Sequence, residues 1–120
     1  MGELRSDRAN ARDGELTVSQ AFRLLASRRR RFVLHTLLDQ SGSIAVDQLV
    51  ETIRDLERQQ GENPTDHAAR VEIALRHTHL PELADAGVIA WHRRADAVER
   101  EPAMTVLAPF LDLVAAYDMD

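Results

Sequence analysis

Apolar residues recur at helical spacing in several stretches of the chain and alternate only briefly between them. Val18, Phe22 and Leu25 mark the first stretch, with Thr17 or Ser19 as its N-cap. Ser27 reads as a second N-cap, followed by Arg28 to Arg31 and the run Phe32, Val33, Leu34, Leu37, Leu38; Ser41-Gly42 is a stop signal. The spacing predicts one helix, or two broken at Ser27, with a wide apolar face. Ser43 to Val46 is too short for a helix, and Ile44 and Val46 alternate with small residues as in a short strand. Asp47 is the expected N-cap of the next helix, whose buried face is Leu49, Val50, Ile53 and Leu56. Residues 59–64 form the loop that follows.

Thr65 or Asp66 opens a third helix, in which Val71, Ile73, Ala74, Leu75, Thr78 and Leu80 make more than one side apolar. Glu72 and Arg76, four apart, mark its solvated face. Pro81 suits the first turn of a new helix better than a helix interior. Leu83 and Ala84 continue the stripe to Gly87, a C′ glycine. The pattern then changes to β. Val88 to His92 form one strand, Arg94-Ala95-Asp96 the turn, and Ala97 to Glu101 a weaker return strand ended by Pro102. Val106, Leu107, Phe110, Leu111, Val114 and Tyr117 define a last helix over 106–117. The expected architecture is mainly α with a small β-hairpin, a winged helix-turn-helix with an extra C-terminal helix. It occupies 17–120, behind a polar tail over 1–16 that is expected to be disordered and has no apolar run of a secretory leader.

The stretch from Arg76 to Ile89 reads RHTHLPELADAGVI. Within it His79, Leu80, Leu83, Ala86, Gly87, Val88 and Ile89 resemble the passage from recognition helix to wing in ArsR-like winged helices. Leu24 to Leu34, LLASRRRRFVL, is similar to the entry of that family's main helix. The two together resemble, over Val18 to Arg93, a haloarchaeal winged-helix domain family with no assigned function. The resemblance implies that the third helix and the hairpin face DNA. The chain departs from the pattern in carrying Arg76, His77 and Thr78 ahead of His79, and in Pro81.

Composition changes this picture in three respects. The absence of cysteine excludes disulfides, thiolate nucleophiles and cysteine-rich zinc sites. All 15 basic residues are arginine against 20 acidic ones, a net charge of −5. That balance fits a salt-adapted proteome, where a Debye length of about 3 Å at molar salt removes the objection to an anionic partner. No apolar run approaches the roughly 20 residues of a membrane span, so a cytoplasmic protein without a membrane partner is expected.

Candidate chemistry is sparse. His35, His67, His77, His79 and His92 invite a metal reading, but His77 and His79 point about 200° apart on a helix. No nucleophile elbow or phosphate-cradling loop is present, and neither enzyme, metal nor cofactor is expected. Arg28 to Arg31 spread around their helix and are expected mainly to pair with nearby carboxylates. Arg70, Arg76, His77 and Thr78 on the third helix are the base-edge or phosphate candidates, and Arg93, Arg94 and Arg100 on the wing the phosphate or minor-groove candidates. The interspersed acids Asp66, Glu72, Asp96 and Glu99 weaken the basic stripe. Two functions follow: a transcriptional regulator binding double-stranded DNA as a homodimer through its C-terminal helix, or a winged-helix adaptor for protein–protein contacts. The C-terminal stripe is too apolar for solvent, and buries against either a second copy or the first helix around Val18, Phe22 and Leu25.

Overall fold

The computed structural model describes residues 16–59 and 67–118; the expected tail and the start of the third helix lie outside these. The first helical stretch is two helices, α1 (Val18–Leu25) and α2 (Arg28–Leu38). Thr17 closes the front of α1 with a capping box: its Oγ1 accepts from the Gln20 N–H at 3.0 Å, and Gln20 Oε1 accepts from the Thr17 N–H at 2.9 Å. Ser27 caps α2, its Oγ accepting from the Arg30 N–H. A single helix cannot form here because Ser27 holds an extended backbone.

The arginine run finishes this corner. Arg30 is buried and donates to the carbonyls of Leu24 at 3.1 Å and Arg23 at 2.9 Å, and Arg31 donates to that of Leu25. These carbonyls lie in the last turn at the negative end of α1, where a guanidinium is favoured; that of Arg23 also accepts from the Ala26 N–H at 3.3 Å. Arg29 reaches the other way, forming a bidentate pair with the buried Glu57.

β1 (Ile44–Ala45) leads directly into α3 (Val46–Gln59), so Asp47 lies inside the first turn rather than at the N-cap. Val46 enters the helix because its N–H is already satisfied, by the Asp96 carbonyl at 2.9 Å. The third helix is not continuous. It comprises α4 (His67–Ala74), a π-turn over Leu75–His79 and α5 (Leu80–Asp85). Pro81 has no N–H and its ring crowds the carbonyl four residues back, so the preceding turn widens, and the Leu80 N–H bonds the Leu75 carbonyl instead. Gly87, at φ +79°, ends α5 in a Schellman motif: the Gly87 N–H bonds the Ala84 carbonyl at 3.0 Å and the Val88 N–H that of Leu83 at 3.1 Å.

β2 (Ile89–His92) and β3 (Ala97–Arg100) form the hairpin, and the sheet order is β1-β3-β2, all antiparallel. This is the winged helix-turn-helix arrangement, with α3 and α4–α5 as its helical pair. Val88 precedes β2 rather than belonging to it. The C-terminal stretch is also later than its periodicity predicts: Pro102–Leu107 is a 3₁₀ segment and α6 runs Ala108–Asp118. Leu107 and Leu111 are fully buried and join the single core made by Leu34, Leu37, Leu49, Ile53, Leu75, Leu80, Leu83 and Val98. Phe110 meets Phe22 of α1 edge-on, with ring centroids 6.3 Å apart. The last helix therefore packs within its own chain on α1 and α2. Val106 of the 3₁₀ segment and Leu113 of α6 remain exposed.

Candidate nucleic-acid interface

The first part of the broken third helix, α4 and the π-turn, buries one stripe and exposes the opposite one. His67, Val71 and Leu75 face the core at intervals of four, while Ala69, Arg70, Ile73, His77 and Thr78 are exposed. Ile73 is 59% exposed, although the apolar character of this helix predicts its burial. The signal was present in the spacing: Val71 and Leu75 are one turn apart, and Ile73 lies about 200° from Val71.

Arg76, in the π-turn, has a different environment from its neighbours. Its guanidinium makes a bidentate pair with Asp96 of the wing turn, at 2.8 and 2.7 Å, and its Nε donates to Glu72 Oε2 at 2.9 Å. Asp47 at the start of α3 stands 3.7 Å away. The Arg76 pKa is pushed further up, chiefly by the bonds to Asp96 and Glu72. Asp96 is held below its ordinary 3.8, mainly by the hydrogen bond from Arg76. The backbone at Asp96 is left-handed, φ 54°, which aspartate tolerates better than most side chains. Its carbonyl holds Val46, so one residue ties the wing turn to both α3 and the π-turn. Arg76 is thus engaged with three carboxylates rather than presented to a ligand.

The wing candidates divide. Arg93 and Arg94 are exposed in the turn, and the Arg93 guanidinium stands over the Trp91 ring, its Cζ 3.9 Å from the centroid. That stacking fixes one guanidinium beside the strand end. Arg100 is at the other end of the hairpin, opposite Ile89, and donates to the Leu38 carbonyl at 2.7 Å. It caps α2 and does not join the others. The structure accordingly brings Arg70, His77 and Thr78 onto the helix face and Arg93 and Arg94 onto the turn, linked through Arg76–Asp96.

Beneath α4 and α5 lies a polar layer whose arginine–carboxylate pairing the sequence leads one to expect, but whose partners it does not identify. His67 Nε2 stands 3.0 Å from Glu57 Oε1 and has no hydrogen-bond partner among the described residues. Arg30 Nη1 donates to Glu82 of α5 at 3.0 Å. His79 stands over this layer with its Nδ1 buried and without a hydrogen-bond partner among the described residues. Its pKa is pushed below 6.5 by burial first and then by Arg30 and Arg29, against smaller opposing effects of Glu82 and Glu57. The contacts are long in sequence, such as Arg29 to Glu57, which periodicity does not encode. Among the described residues no group of three or more histidines and carboxylates is placed to hold a metal ion, and no helix is long and apolar enough to cross a membrane.

Residues 22–99 match the family model of a domain of unknown function, DUF7344. No curated protein and no solved structure matches the chain.

Proposed function

The chain belongs to the DUF7344 family, and we propose that it is a winged-helix module binding double-stranded DNA as a homodimer, in the manner of a transcriptional regulator in a salt-rich cytoplasm. The observation that carries this reading is the Arg76–Asp96 clamp. It holds the wing turn against the recognition element, so that the exposed Arg70, His77, Thr78, Arg93 and Arg94 stand on elements of fixed relative position. A recognition helix contributes base contacts and a wing contributes phosphate contacts only when their spacing is set beforehand. Arg76 and Arg100 are positioning residues in this scheme: one braces the wing turn, the other the hairpin base.

The adaptor reading has its own observation. Three carboxylates surround Arg76, and Val18, Phe22, Val106, Phe110 and Leu113 leave an apolar surface on α1 and the C-terminal segment. Fluorescence polarisation against genomic duplexes in molar potassium chloride separates the two. DNA binding requires that the double variant Arg93→Ala, Arg94→Ala lower the salt slope by about one per lost phosphate contact. Absence of binding to any duplex at all leaves the adaptor.

A further inference from the structure

We infer that Ile73 is the specificity-determining residue of the recognition helix, and that it packs against the C5 methyl group of a thymine in the major groove. The inference rests on the DNA-binding reading above. Ile73 is 59% exposed in the last turn of α4, just before the π-turn and on the side away from the core residues Val71 and Leu75. A β-branched residue is among the less favourable choices for an exposed helical position, so neither folding nor helix propensity accounts for it there. The other large exposed apolar residues belong to α1 and the C-terminal segment, and Ile73 stands apart from them in sequence and element.

Its neighbours leave the central position to it. Ala69, one turn earlier, is too short to reach a base edge. Of the two arginines three residues to either side, Arg76 is drawn off by Glu72 and Asp96, while Arg70 is exposed on the same face as Ile73. His77, one turn later, is exposed on the same face and can donate to a phosphate or a base acceptor. What projects between Arg70 and His77 is therefore an aliphatic surface flanked by polar groups on both sides. Of the four bases, thymine alone presents an apolar group in the major groove, and aliphatic contact with it is a recognised source of discrimination. A helix carrying isoleucine here selects a thymine at the matching step, whatever the flanking positions prefer.

The test uses the full 120-residue chain. Duplexes are selected from a random pool in molar potassium chloride, and each thymine of the best-bound duplex is then replaced by uracil, which lacks only the methyl group. One thymine per bound half-site should lose about fourfold in affinity on replacement, the value of one buried methyl group. Ile73→Ala should lose at least as much on the thymine duplex and be indifferent to uracil, while Ile73→Val keeps the preference. Circular dichroism confirms that both variants fold, as substitution at an exposed site should allow. Indifference of the wild type to every uracil overturns the inference while leaving DNA binding intact, and so does an Ile73→Ala variant that binds like wild type. If no duplex is bound, the DNA-binding reading falls and this one with it. If Ile73→Ala instead lowers the mass in sedimentation, the face is a protein contact.

Discussion

At the scale of single residues, the sequence shows most clearly what the four arginines do. Consecutive helical positions are about 100° apart, so Arg28 to Arg31 cannot form one basic face. Three of them go to separate partners: Glu57, the α1 carbonyls with Glu82, and the Leu25 carbonyl. Arg76 could not be read in the same way, because only Glu72 is near it in sequence and Asp96 is twenty residues on. Its role is decided by Asp96→Asn, which keeps the left-handed turn but removes the charge. If Arg76 braces the wing, Asp96→Asn and Arg76→Ala weaken DNA binding alike. If Arg76 touches DNA, Asp96→Asn releases it and strengthens binding. On stability the pair should show a coupling of about 1 kcal/mol in a double-mutant cycle, because both partners remain solvent-accessible. His79 predicts a pH dependence. Its folded-state pKa lies below 6.5, so the unfolded chain takes up the proton first. Stability is complete above that pH and falls as pH is lowered from it toward the folded-state value. Denaturant midpoints measured from neutral to mildly acidic pH should show this loss, and His79→Leu should remove that part of it.

At the scale of elements, termination signals were legible and long-range pairings were not. Thr17, Ser27 and Gly87 each act where their chemistry places them, because a cap is a contact within a few residues. β1 is two residues long and exists only through its pairing with β3, Ile44 with Val98 and Ala45 with Ala97, so alternation in the sequence could do no more than permit it. The π-turn has a local signal in Pro81, which suits a helix start and also widens the turn before it. Asp47 was displaced from the cap by a bond from Val46 to the wing turn, again a contact from far along the chain. The Schellman motif gives an element-scale prediction. Leu83 and Val88, whose backbones it joins, are both fully buried beneath the hairpin. Leu83→Ala should cost about 2–5 kcal/mol in equilibrium unfolding. A loss below about half a kcal/mol would place the residue outside the core, against its complete burial.

At the scale of the whole molecule, the C-terminal helix serves its own chain with one side and is available to a second copy with another. Leu107 and Leu111 are core residues, so removing everything after Met104 would open the core and report on folding rather than on association. The informative changes lie on the exposed side. Val18 is 71% exposed, Phe22 59% and Leu113 63%, and a groove of about 150 Å³ runs between α1 and the C-terminal segment, lined by Leu16, Val18, Phe22, Val106 and Phe110. A two-fold contact through this face would bury the same residues on both chains, which suits a patch whose two sides are both apolar. It would also carry two recognition elements on one rigid body, as reading two DNA half-sites requires. High salt strengthens such a contact, since apolar burial gains where charge repulsion between two anionic chains is screened. Sedimentation of the full chain in molar potassium chloride should therefore give a dimer at tens of micromolar. Val18→Glu and Leu113→Glu should each give a folded monomer, because these are the two most exposed large apolar positions of the single chain. A wild-type monomer under these conditions would leave the patch without a second copy, and the half-site model of DNA reading without its two-fold.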